Sequence, residues 1–349
     1  MAEYKSEERS LDQLDLFSIK KMAAYSDKKR SLGQFFTKKH FWLKGHVVQF
    51  IKSANRNIAF DPFAGSGDLL KAAKDIGFKE TIGFDIDLDL NWELNDSLIN
   101  IPRLDNAIII TNPPYLTNYS AKRKKIYSSV EKYFASCDYD DIYKLAIDKC
   151  LENNDFVVAI IPETFINSGF CRAGRLSSVT IIEDKMFNDT DNPICVVCFD
   201  QKEKDLKDIR MYKNDKYLGT LEDFEGMRKT PENSIDIKFN ALDGQIALRA
   251  VDTIHVERPI QFLRPEEMDY DWSTIKVSSR LITLIKMDIQ PDRINKVIDL
   301  GNDILNDFRK NSADILLSPF KGNKKNGERR RRLDYRTARA ILEEASANS

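Results

Sequence analysis

Four consecutive residues, Asn112-Pro113-Pro114-Tyr115, could carry out chemistry on a planar amine. They follow the apolar run at residues 108–110 after one residue, Thr111, and such a run is typical of a buried strand. Proline stiffens the backbone, so the Asn112 side chain and the Pro113 carbonyl can present two fixed acceptors to two N–H groups. The Tyr115 ring can stack on a heterocycle. Such a site is expected at the carboxyl end of the strand, where open α/β sheets bind ligands.

A glycine-containing turn, residues 61–67, lies between a short apolar segment and a helix-like segment. Its glycines permit a tight turn and let a ligand approach the backbone closely. The same pattern also fits an ordinary strand-to-helix turn, and the turn alone does not decide between the two interpretations.

An acidic residue follows the next predicted strand. Asp85 stands immediately after that strand, where a carboxylate can accept hydrogen bonds from both ribose hydroxyls of an adenosine-containing cofactor. We interpret Asp87 and Asp89 as solvated carboxylates. This chemistry needs no metal, and we expect none.

The Asn112 segment, the glycine-containing turn and Asp85 can meet at one edge of a sheet only if strands and helices alternate along the chain. Apolar runs predict strands at residues 58–60, 81–84, 107–110, 156–161, 179–183 and 194–199. Helical spacing appears at residues 46–53, 68–76 and 142–153. The alternation favours an α/β fold, and we expect a Rossmann-like domain with a mainly parallel sheet of roughly seven strands.

Composition narrows the class of protein. The chain has 349 residues, of which 42% are apolar, so wholesale disorder is excluded. No apolar run approaches the roughly 18–20 residues that span a bilayer, and the charged N-terminus has no signal-peptide core, so we expect a cytoplasmic protein away from membranes. The five cysteines are an odd number and are scattered along the chain, which argues against a disulfide framework.

The strand–helix alternation is lost after Asp200. We therefore predict an N-terminal arm at residues 1–30, a catalytic domain at 31–203 and a smaller C-terminal region at 204–349, with a helix at 294–308. The sequence does not fix the oligomeric state, and we expect a monomer or weak dimer.

Basic residues are concentrated in two segments, although the net charge is only -1. Residues 321–340 contain nine basic and two acidic side chains, and Lys122-Arg123-Lys124-Lys125 follows the Asn112 segment. A solvated tail is the common explanation for such a run, but the two segments together favour contact with nucleic-acid phosphates. The candidate contacts are Lys122, Arg123, Arg329, Arg330, Arg331 and Arg332.

Residues 31–200 resemble the bacterial N6-adenine DNA methyltransferases of restriction–modification type. The resemblance implies S-adenosylmethionine as cofactor and double-stranded DNA as substrate, with Asn112, Pro113, Pro114 and Tyr115 as the catalytic motif. It implies cofactor contacts from Gln34, Phe35, Phe36, Thr37, Asp61, Pro62, Phe63, Ala64, Gly65, Gly67, Asp85, Ile86, Asp96, Ser97, Asn112 and Pro114. It also implies that the target adenine is flipped out of the duplex and stacked on Tyr115 and Phe187.

The order of these motifs is similar to the γ arrangement, which implies that the C-terminal region recognises the DNA sequence. A separately encoded restriction endonuclease is an implied partner.

Two other classes of function stay open. The Asn-Pro-Pro-Tyr motif is also found in enzymes that methylate RNA or a protein glutamine amide. A degenerate methyltransferase-like protein that binds nucleic acid without chemistry is the second alternative, although the intact motif argues against it.

Overall fold

The computed structural model describes residues 40–170, 174–184, 192–274 and 281–349. These residues form two compact units. Unit 1 contains the described residues 40–161 and 197–201, and unit 2 contains those of 162–184, 192–196, 202–274 and 281–349. The predicted domain boundary near residue 203 stays a prediction.

Unit 1 is built on parallel strands with helices between them. Its strands are β1 (Ile58–Asp61), β2 (Glu80–Asp85), β3 (Glu93–Leu94), β4 (Ala107–Thr111) and β5 (Val157–Pro162), which ends at the unit boundary. Its helices are α1 (Gly45–Ser53), α2 (Asp68–Asp75), α3 (Asn118–Arg123), α4 (Tyr127–Ala135) and α5 (Ile142–Asn153). The strands are ordered β3-β2-β1-β4-β5.

The central strands of unit 1 are apolar because both faces of the sheet are covered. β1 pairs in parallel with β2 and β4, and β4 pairs in parallel with β5. All five residues of β4 are buried. The carboxyl ends of these strands therefore lie at one edge, as the alternating pattern predicts. Among the described residues, the sheet to which these strands belong is mainly parallel, and its expected count of roughly seven strands stays a prediction.

Unit 2 contains some elements that the sequence pattern predicted, at residues 179–183, 194–199 and 294–308, and several that it did not predict. Its strands are β6 (Leu176–Ile182), β8 (Arg210–Lys213), β9 (Lys216–Thr220), β10 (Ile237–Phe239), β11 (Ile246–Arg249), β12 (Gln261–Leu263), β13 (Ile282–Met287), β14 (Ser318–Asn323) and β15 (Arg329–Arg332). β7 (Ile194–Phe199) is divided between the units. The helices of unit 2 are α6 (Leu221–Met227), α7 (Ile294–Asn311) and α8 (Tyr335–Ala347).

Six of these strands form two small antiparallel sheets. β10, β13, β11 and β12 make a four-stranded sheet, and β14 pairs with β15 in a hairpin. Helix α7 begins where it was predicted and runs three residues further. It buries a stripe that includes Val297, Leu305 and Phe308. Short 3-10 helices occur at His40–Trp42, Glu163–Asn167, Leu206–Asp208, Pro265–Glu267, Trp272–Thr274 and Pro291–Arg293.

Within the described ranges, no helix is both long and apolar enough to cross a membrane.

Candidate active site

The turn after β1 is anchored by the buried carboxyl group of Asp61. Its Oδ1 accepts a hydrogen bond from Thr111 Oγ1 at 2.6 Å and another from the Phe63 N–H at 3.0 Å. Thr111 is the last residue of β4, so this contact fixes the glycine-containing turn against the start of the Asn112 segment. Burial raises the pKa of Asp61 to about 7, although both hydrogen bonds lower it.

Trp92 holds the glycine-containing turn from the other side. Its indole Nε1–H donates to the Gly65 carbonyl at 2.8 Å. A Cβ atom on Gly67 would lie 2.7 Å from Trp92 Cζ2, and one on Gly83 would lie 2.5 Å from Trp92 Cε3. Gly67 also has a φ of +76°, which favours glycine.

Contact between Gly67 and the cofactor stays a prediction. Gly67 is not among the residues that line the cavity described below, whereas Gly65 is. The missing Cβ of Gly67 makes room for the Trp92 ring.

Asp85, at the end of β2, orders the same turn. Its Oδ2 accepts from the Gly65 N–H at 2.8 Å, and its Oδ1 accepts from the Asp87 N–H at 3.0 Å. Each carboxylate oxygen can accept more than one hydrogen bond, so Asp85 keeps capacity for hydroxyl donors. Asp85 is 8% exposed and faces the cavity.

Asp96 is held by helix α4. Its Oδ2 accepts from Lys132 Nζ at 2.7 Å and from the Tyr133 hydroxyl at 2.9 Å. Burial and the neighbouring Asp96 carboxylate raise the pKa of Tyr133, so its hydroxyl stays protonated as a donor. These contacts bring α4 to the edge of the cavity, where Tyr133 forms part of the wall.

The Asn112 segment lies at the carboxyl end of β4, as predicted. The Tyr115 hydroxyl donates a short hydrogen bond to Asn112 Oδ1 and also lies 2.7 Å from the Ile160 carbonyl. Tyr115 is only 9% exposed. Its predicted role as a surface on which a base stacks therefore requires the ring to leave this position.

One cavity of about 270 Å³ in unit 1 joins most of the predicted cofactor residues. These are Asp61, Pro62, Phe63, Ala64, Gly65, Asp85, Ile86, Asp96, Ser97, Asn112 and Pro114. Pro113 and Tyr115 are not in its lining. Residues of the glycine-containing turn, Asp85, Asp96 and two residues of the Asn112 segment thus line one cavity.

The sequence analysis missed part of the wall. The missed residues are Ser66, Asp68, Leu69, Asn95, Leu98, Ser129, Val130, Tyr133 and Ile142. The helical spacing of Ile126, Val130, Tyr133 and Phe134 could have predicted α4 as an apolar cover, because its apolar side chains recur every three or four residues.

Lys122 and Arg123 are exposed at the end of α3. Lys122 Nζ lies 4.8 Å from the centre of the Tyr127 ring, and Arg123 Cζ lies 5.9 Å from that of Tyr119. Their positive charges are accessible, and contact with phosphate stays a prediction for both.

The four consecutive arginines are not a tail. They form β15, and Arg329 and Arg331 are 7% and 0% exposed. Arg331 Nη1 donates to the buried carboxylate of Glu163, and Arg329 Nη2 donates to the Ile182 carbonyl at 3.0 Å. Both side chains are therefore buried inside unit 2, and DNA contact by either arginine stays a prediction.

Arg330 and Arg332 alternate with the buried pair and are half-buried. Arg330 Nε donates to the Asp252 carbonyl at 2.7 Å, and its guanidinium lies 4.8 Å from the centre of the Phe320 ring. Phosphate contact by Arg330 and Arg332 stays a prediction.

Five predicted residues lie outside the described residues. They are Gln34, Phe35, Phe36, Thr37 and Phe187. In the described part of the chain, no group of three or more His, Cys, Asp and Glu side chains is arranged to hold a metal ion.

Comparison with known proteins identified no family. No family model matches the chain, and no curated protein matches it. Solved structures of low similarity include a proposed class I S-adenosylmethionine-dependent methyltransferase from Listeria monocytogenes, with a TM-score of 0.36 and 13% identity over 49% of this chain and 64% of that one. The modification subunit of a proposed type I restriction enzyme from Vibrio vulnificus has a TM-score of 0.36 and 14% identity over 61% of this chain and 53% of that one.

A proposed RNA methyltransferase from Pyrococcus horikoshii has a TM-score of 0.33 and 18% identity, over 50% of this chain and 91% of that one. The chain covers less than two thirds of the first two structures. All three TM-scores lie below 0.5, so these likenesses do not establish what the chain does. The cavity of this chain is therefore the basis for proposing its function.

Proposed function

We propose that the chain is an S-adenosylmethionine-dependent methyltransferase that acts on the N6 amine of adenine in double-stranded DNA. The observation that carries the proposal is the single cavity that places Asn112 and Pro114 beside the glycine-containing turn and the carboxylates of Asp85 and Asp96. A cofactor site and an amine-binding motif thus open into one space.

The acceptors and walls of this cavity suit a nucleoside. The carboxylates of Asp85 and Asp96 are acceptors, which suit the ribose hydroxyls and the exocyclic amine of an adenosine group. Leu69, Leu98 and Val130 supply apolar surface against which a planar ring can pack. Gly65, with a φ of +51°, lets the backbone of the turn come close to a ligand.

Asn112 and Pro113 supply the catalytic acceptors in this proposal. The lone pair of the adenine amine is delocalised into its ring, so the amine is a poor nucleophile. Hydrogen bonds from its two N–H groups to Asn112 Oδ1 and to the Pro113 carbonyl localise and aim that lone pair. Bound S-adenosylmethionine supplies a methyl group that is already activated by the positive charge on sulfur.

Tyr115 must change position before this chemistry can begin. Its hydroxyl donates to Asn112 Oδ1, the oxygen that the amine would use. When the base enters, the amine replaces the hydroxyl and the ring becomes available for stacking. Each stack of an aromatic ring on a base contributes about 1–3 kcal/mol, which is comparable with the few kcal/mol that removing a base from the duplex costs.

DNA is favoured as the substrate by the exposed cations beside this site. Lys122 and Arg123 follow the Asn112 segment by fewer than a dozen residues and are exposed on α3. The motif order supports a setting in restriction and modification, with the C-terminal region recognising the site and a separately encoded endonuclease as partner.

The test is direct. The protein is incubated with S-adenosylmethionine labelled in its methyl group and with a plasmid of mixed sequence, and modified bases are mapped by single-molecule sequencing. N6-methyladenine at a defined sequence supports the proposal. Methylation of RNA or of a glutamine-containing peptide in parallel reactions, with DNA unmodified, would reassign the substrate. Asn112→Ala is the matched inactive control.

A further inference from the structure

A second cavity, of about 200 Å³, lies wholly within unit 2. It is formed where the end of β6, strand β8, the end of α7 and strand β15 approach each other. Its charged lining residues are Glu183, Lys213, Arg309, Lys310, Asp314, Glu328, Arg329 and Arg331. Five cations therefore face three acids, and the lining is net positive.

The three acids of this lining are already matched by cations. Glu183 pairs with Lys213 at 2.8 Å, and Glu328 pairs with Lys324 at 3.2 Å. Asp314 accepts from Arg309 Nε at 2.7 Å and from Arg309 Nη2 at 3.0 Å. Arg331 and Arg329 share one further acid, Glu163, which pairs with Arg331 Nη1 and lies 3.9 Å from Arg329 Nε. One carboxylate cannot neutralise both guanidinium groups and Lys310, so the group keeps a net positive charge.

Arg331 is one of the residues that line this cavity. It is fully buried, and its Nη1 donates to Glu163. In the part of the chain that the structure describes, its Nε and Nη2 are buried without a hydrogen-bond partner. An unsatisfied buried donor costs free energy, and the cost is larger for a charged group. A fixed guanidinium with two such donors is suited to a planar or tetrahedral oxyanion.

The walls of the cavity are rigidly held. Arg309 is clamped between Asp314 and the buried Asp252, to which its Nη1 and Nη2 donate at 3.0 Å each. Burial by itself lowers the pKa of Arg309, but these two carboxylates raise it overall. Ala313 and Asp314, in the turn after α7, have φ values of +47° and +67°. Two successive residues other than glycine in this region indicate a turn that its surroundings impose.

We propose that this cavity binds a phosphate group, with Arg331 and Arg329 as the principal donors and Lys310 at the rim. The arginines stand at alternate positions of β15, so their side chains lie on the same face of the strand. The phosphate belongs either to a free phosphate ester or to a nucleic-acid backbone. This inference does not rest on methyl transfer and uses a different part of the chain.

Inorganic phosphate, titrated into the full chain by isothermal calorimetry, is the probe. We expect saturable binding of one phosphate with a dissociation constant of about 1 mM or tighter. In Glu163→Met/Arg331→Met, the buried pair is replaced by apolar side chains, which avoids leaving one charge alone. Its phosphate affinity should fall about tenfold or more. Lys310→Gln, a change at an exposed residue, should lower it by about threefold, and Arg336→Gln, outside the cavity, should leave it unchanged.

The absence of saturable binding overturns the proposal, as does equal affinity in wild type, the double variant and Lys310→Gln. If the double variant does not fold, as judged by circular dichroism, Lys310→Gln against Arg336→Gln decides alone. A competition experiment with a short DNA duplex identifies the source of the phosphate. If the duplex displaces inorganic phosphate, the cavity binds the nucleic-acid backbone. If the duplex and inorganic phosphate bind at the same time, the cavity binds a free phosphate ester.

Discussion

The Tyr115 hydroxyl donates a hydrogen bond to Asn112 Oδ1, so two residues of the same four-residue motif are paired with each other. In the proposed mechanism, the target amine and the Tyr115 hydroxyl would compete for this one oxygen atom. The unliganded arrangement is therefore one that the substrate must displace.

Tyr115→Phe keeps the ring and removes the competing hydroxyl. A hydrogen bond of this kind contributes about 0.5–1.5 kcal/mol, so we expect kcat/KM for DNA to rise by roughly twofold to tenfold. Steady-state kinetics at low DNA concentration measures this kcat/KM. Tyr115→Ala, which also removes the ring, should lower kcat/KM. A phenylalanine variant as slow as the alanine variant would show that the hydroxyl assists the reaction.

Asn112→Ala removes one of the two acceptors that orient the amine. The rate of methyl transfer at saturating substrates should fall about a hundredfold or more. Cofactor affinity, measured by calorimetry, should change by much less, because Asp85 and Asp96 remain. Wild-type activity in this variant would remove Asn112 from the mechanism.

Trp92→Phe tests whether the glycine-containing turn is positioned through its Gly65 carbonyl. The variant loses the indole N–H but keeps an aromatic ring near Gly67 and Gly83, so we expect cofactor binding to weaken by about twofold to tenfold. Trp272→Phe is the matched control, since Trp272 Nε1 also donates to a backbone carbonyl, that of Pro265, at 2.8 Å. Equal cofactor affinity in both variants contradicts the positioning role of Trp92.

Asp61 makes stability depend on pH. Its pKa is about 7 in the folded protein and 3.8 ordinarily, so folding takes up a proton between these values. The stability that Asp61 contributes is greatest below pH 4 and is lost as the pH rises through 7. Asp61→Asn keeps an oxygen for Thr111 and Phe63, and should lose less stability than wild type between pH 5 and pH 8.

Urea unfolding at several pH values measures this difference. Burial also raises the pKa of Asp141, to about 6, and that contribution is common to both proteins and cancels in the comparison. Parallel pH profiles for the two proteins would show that Asp61 ionises normally in the fold.

Lys122→Gln/Arg123→Gln should weaken DNA binding at all sequences alike, because contacts to phosphate carry no sequence information. The slope of log affinity against log salt should become shallower by about 0.9 for each lost contact. Fluorescence anisotropy at several salt concentrations gives the slope. Lys74→Gln/Lys79→Gln, also exposed, is the control for a change in net charge. Identical slopes in the two variants exclude phosphate contact by Lys122 and Arg123.

The parallel core of unit 1 was predictable because each strand is a short apolar run between turn residues. β1, β2 and β4 were placed within about one residue, and the cavity at their carboxyl ends followed from the polar residues after them. The local sequence did not predict that Gly67 faces Trp92, because that contact joins residues 25 positions apart and depends on the tertiary fold.

The pattern of apolar residues in the sequence did not predict the small antiparallel strands of unit 2. The run Arg329–Arg332 has no apolar residue, and its burial depends on Glu163, which lies 168 positions earlier in the chain. A charge run is predicted as solvated unless the distant partner is known.

The position of β15 has a consequence for shortened versions of the protein. Deletion of residues 321–349 removes what the sequence presents as a basic tail, but it also takes away Arg331 and the fully buried Leu333, Ile341 and Leu342. Glu163 would then be left as a lone carboxylate in an apolar interior, which is strongly destabilising. Loss of DNA binding after such a truncation would report a misfolded unit 2, and point substitutions at exposed cations are the sound way to map the interface.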